Sequence, residues 1–178
     1  MRSAAIAVVE YLLGFLALAL FAFLAFGSGP ATDDRLVFAF KAAAPLAVVE
    51  LAVLLWRAAP ANRLIIGANV WLAAGGLAAY LQQWWWLKGY QQLGEASLFI
   101  SMAIVGVATI VLSPAGFVAA VGPRRPVVLA SLGLLAAVAL ALLAAVHFRG
   151  NVKLAAVIPV IALSWLNRLL RRTVPRGA

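Results

Sequence analysis

Apolar residues fill this chain in six long runs, 4–26, 36–57, 64–82, 95–121, 127–147 and 152–170, and polar residues gather in the gaps. An α-helix needs about 20 apolar residues to cross roughly 30 Å of hydrocarbon, and the runs are of that size. The gaps carry turn formers and charges. They are Gly27-Ser28-Gly29-Pro30 with Asp33, Asp34 and Arg35; Arg57 to Arg63 with Pro60 and Asn62; Gln82 to Glu95; Gly122-Pro123-Arg124-Arg125-Pro126; and His147 to Lys153 with Gly150 and Asn151. This pattern predicts an all-α fold, one polytopic transmembrane helical bundle over 1–178 with about six spans. Ser113-Pro114 either kinks the fourth run or ends it, which would leave 115–121 as an interfacial cap and five spans in all. Arg2 precedes the first run as it would in a signal peptide. The run is too long for a signal core, however, and no small-x-small cleavage site follows, so it reads as a retained helix.

Composition strengthens this reading. Apolar residues make up 66% of the chain and charged residues 11%, against about 25% charged in ordinary soluble domains. A soluble fold this apolar has too little polar surface to cover itself, so lipid must solvate it. The net charge of +9 comes from basic residues at the ends of runs, not from a basic stripe interleaved with aromatics. That placement speaks for topology and anionic headgroups and against nucleic acid. With the N-terminus inside, the inner side holds Arg2, Arg57, Arg63, Arg124, Arg125, Arg168, Arg171, Arg172 and Arg176, nine in all, and the outer side holds Arg35, Lys88, Arg149 and Lys153, four. The count predicts both termini in the cytoplasm. Cysteine is absent, which removes disulfides, thiolate catalysis and cysteine-based metal sites.

Polar residues inside the runs are the candidates for function, because an ionisable group at membrane depth costs several kcal/mol unless paired or wetted. Glu10 and Glu50 both fall about 10 Å from the cytoplasmic boundary at 1.5 Å rise per residue. Asn69, Ser131 and Ser164 reach similar depths. These five form a candidate polar layer. It is either a water-accessible cavity whose carboxylates bind a proton or a cationic group, or a set of interhelical hydrogen bonds that fix packing. Lys41 lies inside the second run, nine residues before Glu50. That separation is about half a turn, so the two do not face each other. Lys41 snorkels outward instead, toward Glu95 at the outer start of the fourth run.

Trp84, Trp85, Trp86 and Lys88, with Tyr90 nearby, suit an outer aromatic belt, or an outer docking site for a partner or a glycolipid headgroup. Arg168, Arg171 and Arg172 share one helical face by i, i+3, i+4 spacing and read as an anchor for lipid headgroups. His147 is the single histidine and reads as a polar helix end, since one histidine without clustered carboxylates makes a poor metal site. HExxH, GxSxG and P-loop patterns are missing, so no catalytic residue, metal or cofactor is expected. Runs starting near 4, 36 and 64 are followed by runs starting near 95, 127 and 152. An inverted repeat of three helices per half gives that rhythm, and so do evenly spaced helices. Glycine-rich faces such as Gly75-Gly76 permit a homo-oligomer.

Three features resemble the intracellular septation protein A family of bacterial inner-membrane proteins. They are Gly75-Gly76-Leu77 followed by Trp86-Leu87-Lys88, Asn151-Val152-Lys153 opening the last run, and a basic tail ending in Arg172-Thr173-Val174-Pro175 on a chain of similar length. The chain departs from the family at Trp84 and Trp85, where the family's loop tends to be acidic, and before the last run, where the family's tryptophan-rich pattern is missing. The resemblance implies a multi-pass protein of the cytoplasmic (inner) membrane. It implies work in envelope maintenance or septation through division or envelope proteins and lipids, with no catalytic residue. The competing expectation is a small transporter or channel with a polar cavity near Glu10, Glu50 and Asn69. A membrane enzyme would need a second cluster of acids or histidines.

Overall fold

The computed structural model describes residues 14–27, 29, 32–56 and 61–175. Its helices are α1 (Leu16–Phe26), α2 (Asp33–Trp56), α3 (Arg63–Tyr80), α4 (Trp84–Leu93), α5 (Ala96–Leu112), α6 (Arg124–His147) and α7 (Ile158–Thr173), the last preceded by a π-helical turn at Lys153–Val157. No strand occurs among the described residues. Four of these segments, α2, α3, α6 and Lys153–Thr173, are long and apolar enough to cross a membrane. The pair α4 and α5, bent by 101°, makes a fifth if it is counted as one broken span.

Local chemistry explains where the helices begin and end. Asp33 and Asp34, expected in a loop, form the first turn of α2, where carboxylates meet the positive end of the helix dipole. The Thr32 hydroxyl oxygen accepts the Arg35 N–H there at 3.4 Å. Arg124, Arg125 and Pro126 are likewise drawn into the first turn of α6, which tolerates proline because its N–H groups have no helical acceptor anyway. The fourth run is shorter than 95–121. Proline disfavours helical backbone in the residue before it, and Ser113 is extended at φ −115° and ψ 132°, so α5 ends at Leu112. Residues 115–121 form a turn folded inward, with Phe117, Val118 and Ala119 fully buried. In the first run only the part from Gly14 is described. Gly14 is helical, Phe15 leaves helical geometry at φ −108° and ψ 6°, and the helix resumes at Leu16.

The described residues divide into two compact units. The first consists of α1, α2 and Asn69–Lys88. Its core is an aromatic trio: Phe21 lies 4.6 Å from Phe40 and 5.1 Å from Trp71, and Phe40 lies 5.1 Å from Trp71. Small residues bring the backbones together. Ala39, Ala43 and Ala47 are fully buried on one face of α2. A Cβ on Gly75 would fall 2.3 Å from the Phe40 ring, and one on Gly76 would fall 2.0 Å from the Ala44 Cβ. Pro45 sits inside α2 and has no N–H to offer the carbonyl four residues back, that of Lys41. The Tyr80 hydroxyl donates to that carbonyl at 2.9 Å, and the Lys41 ammonium rests 5.8 Å from the Tyr80 ring centre.

The second unit consists, among the described residues, of 61–68, which open α3, together with 89–175. Phe99, Met102, Phe117, Val127, Leu134 and Val138 are its buried large side chains. Gly67 lets α3 approach α5, since a Cβ there would lie 2.8 Å from the Met102 Cα. The Ser101 hydroxyl donates to the Gly67 carbonyl at 2.8 Å beside it.

Gly76→Ala is expected to cost about 1–3 kcal/mol, the range for inserting a methyl into a packed contact. Ala44→Gly on the same chain should recover part of that loss. Thermal unfolding in detergent of the two single variants and the double variant checks it. Strictly additive losses would show that the two residues do not meet.

Candidate functional site

Among the described residues of the first unit, the expected polar layer reduces to Glu50 and Asn69. Glu50 projects from α2 and is half-buried. One carboxylate oxygen accepts the Ala17 N–H at 3.0 Å, and the other accepts the Asn69 side-chain amide N–H at 2.8 Å. The Ala17 N–H is available for a local reason. α1 opens at Leu16, so Ala17 lies in its first turn, where N–H groups call for an acceptor from outside the helix. The carboxyl group therefore sits at a helix N-terminus, where the aligned peptide dipoles favour negative charge. Asn69 is fully buried on α3, and its side-chain carbonyl oxygen has no hydrogen-bond partner. Glu10, the other expected member, lies outside the described residues.

Ser131 and Ser164 belong to the second unit. The Ser131 hydroxyl oxygen accepts the N–H groups of Phe117 (2.9 Å) and Val118 (3.3 Å), so it completes the inward turn after Pro114. Gly116 makes this possible: its φ of +60° suits glycine, and a Cβ would lie 2.4 Å from the Ser131 oxygen. Ser164 is buried on α7 next to a polar residue that sequence reading passed over, Asn167, which is 3% exposed. The Asn167 amide donates to the Asn62 side-chain oxygen at 3.1 Å, and the same oxygen accepts the Leu64 N–H at 3.1 Å as the N-cap of α3. A polar pair three residues apart inside the last apolar run was the available signal for Ser164 and Asn167.

The outer-interface residues take different roles. Lys41 is engaged with Tyr80 inside the first unit, and Glu95 belongs to the second. Trp84, Trp85, Trp86 and Lys88 are exposed on α4, whereas Leu87 and Tyr90 are buried, so the helix is amphipathic as expected. The Trp85 indole N–H donates to the Gln83 side-chain oxygen at 2.9 Å. At the bend between α4 and α5, Gly94 takes φ +56° and the Arg149 guanidinium donates to the Gln91 carbonyl. Arg124 caps α5 in the same way, donating to the carbonyls of Ile110 (2.6 Å) and Ser113 (2.7 Å).

Arg168, Arg171 and Arg172 are all exposed on the last turns of α7. Arg168 and Arg172 continue the outward row of Ile161 and Trp165. Arg171 lies one turn beyond Asn167, at the edge toward the packed side. His147 is exposed at the end of α6, edge-on to Phe148 at 4.8 Å. Among the described residues, no three of His, Cys, Asp and Glu come together.

No protein-family model, no curated protein and no solved structure matches this chain. The resemblance to the septation family therefore stands on the residues that suggested it.

Ser131→Ala leaves two buried N–H groups without an acceptor and is expected to cost about 1–3 kcal/mol. Ser164→Ala, with no such pair to serve, should cost less. Chemical or thermal unfolding of the two variants in the same detergent compares them, and equal losses would remove the turn-closing role from Ser131.

Proposed function

We propose that this chain is a multi-pass protein of the bacterial inner membrane that acts through lipid and protein contacts, in envelope maintenance or septation, and carries out no chemistry of its own. The observation that carries this reading is the clasp at Glu50. Both oxygens of the carboxylate accept hydrogen bonds from within the first unit, one from a restarting helix and one from Asn69. A proton or solute carrier needs its intramembrane carboxylate to exchange partners. A carboxylate used to close a helix break and join three segments supports a static role. Six spans with both termini on the cytoplasmic side fit the charge count of the sequence, and that orientation is part of the proposal.

One observation supports the carrier reading instead. The buried Asn69 oxygen lacks a donor, and a guest molecule or water at that point would supply one. The two readings diverge on Glu50→Gln. The substituted amide keeps one acceptor for the Ala17 N–H, and the Asn69 amide can turn its unpartnered oxygen to the new N–H, so the clasp loses charge but keeps both hydrogen bonds. The clasp reading expects a stability loss of about 0.5–1.5 kcal/mol, from exchanging charge-assisted bonds for neutral ones, and no proton flux in proteoliposomes carrying a trapped pH dye, for wild type or variant. A flux in the wild type that Glu50→Gln abolishes, at unchanged thermal stability, would overturn the clasp and favour the carrier. Under the proposed role, envelope or division proteins should co-purify in mild detergent.

A further inference from the structure

The outward face of α7 changes character along its length. Ile158, Ile161, Trp165, Arg168 and Arg172 follow one another at three- and four-residue steps, so they form one row. All five are exposed, Ile161 at 63% and Trp165 at 67%. Ile158, Ile161, Ala162 and Trp165 line a shallow groove that is almost entirely apolar. From Ile158 to Arg172 the row runs about 21 Å at 1.5 Å per residue. Its first half is a hydrocarbon trough, its middle is an indole, and its end is a pair of guanidinium groups.

Two contacts draw further arginines to the Arg172 end. The Asn62–Asn167 hydrogen bond puts the start of α3, with Arg63, beside the last turns of α7. The tail after α7 returns to the loop before α6: Val174 is buried, and a Cβ on Gly122 would lie 2.5 Å from the Pro175 carbonyl oxygen and 2.7 Å from the Val174 side chain. Arg124 and Arg125 follow that loop directly. Arg124 is occupied with the carbonyls that close α5, whereas Arg168 and Arg172 make no hydrogen bond or ion pair among the described residues. Among the described residues of this unit the one carboxylate is Glu95, which lies at the far end of α5 from the carbonyls that Arg124 caps. The Arg172 end therefore gathers positive charge with no acid beside it among the described residues of its unit.

We infer that this row is a binding site for one anionic phospholipid, its acyl chain along the Ile158–Trp165 groove and its phosphate between Arg168 and Arg172. The trough selects an amphiphile over a soluble anion, and the arginine pair selects a negative headgroup over a zwitterionic one. The assignment rests on the membrane reading of the chain and turns a diffuse basic anchor into a defined site. A guanidinium pair one helical turn apart can grip a phosphate by several N–H groups at once, and an indole at the join suits the boundary between acyl chain and headgroup.

The test is native mass spectrometry of the full chain released from micelles holding equal amounts of phosphatidylglycerol and phosphatidylcholine, with lipid affinity followed by titration. The wild type should retain one phosphatidylglycerol in preference to phosphatidylcholine. Arg168→Ala with Arg172→Ala should weaken phosphatidylglycerol about 30-fold, the loss that two near-surface basic charges predict. Trp165→Ala should weaken both lipids. The charge-matched pair Lys88→Ala with Lys153→Ala should change neither. Equal loss in the charge-matched pair, or equal retention of the two lipids by the wild type, would overturn the site. A chain that fails to enter lipid vesicles at all would overturn the membrane reading itself, which separates the two failures.

Discussion

A helix in hydrocarbon has no water to complete the backbone hydrogen bonds that a break leaves open, and each open group costs several kcal/mol. The described polar side chains sort themselves around that constraint. Phe15 interrupts the first run, and Glu50 takes the Ala17 N–H. Pro45 removes a donor from α2, and Tyr80 gives the Lys41 carbonyl another. Pro114 ends α5, and Arg124 takes the carbonyls left at its end, while Ser131 takes the N–H groups of the turn that follows. Gly94 ends α4, and Arg149 takes the Gln91 carbonyl. In each case an irregular backbone and a polar side chain from a distant segment occur together, and each accounts for the other.

This pairing changes how an intramembrane polar residue is weighed. Charge or polarity at membrane depth is a marker of function when nothing local needs it. Glu50 would be such a marker on an unbroken bundle. Beside a helix that restarts at Leu16, the same carboxylate has a structural task that its chemistry fits, two acceptor oxygens for two donors. The oxygen of Asn69 is different. It is buried, it answers no backbone need, and it is the feature of this cluster that packing leaves unexplained.

The sequence made the long helices legible because hydropathy and helical length measure the same thing in a membrane. α2, α3 and α6 fall within a few residues of the apolar runs, and their ends move by a turn where Asp33, Asp34 or Arg124 is absorbed as a capping charge. The fourth run was legible in part. Ser113-Pro114 marked the place where α5 ends, whereas the positive φ at Gly116 and the inward turn that follows leave no trace in averaged hydropathy. Depth along each helix correctly made Glu50 and Asn69 neighbours in the candidate layer, since both were counted from the same boundary. Depth gave no azimuth, however, and so it could not distinguish Asn69, which meets Glu50, from Ser131, which faces the turn before its own helix. Asn62 and Asn167 went unpaired because nothing in a single sequence links positions so far apart.

Arginine shows the last step of this logic. Counting basic residues by side treats every one as an equal vote for the cytoplasm. The structure separates them by what their donors meet. Arg124 and Arg149 place their guanidinium groups on backbone carbonyls, a use that any helix end in lipid creates and that carries no information about the leaflet outside. Arg168 and Arg172 meet no such carbonyl and stand at the end of an apolar trough. A guanidinium that the fold does not need is what remains to recognise a headgroup. Lipid selectivity would then come from this smaller set, while Arg124 and Arg149 hold the backbone together.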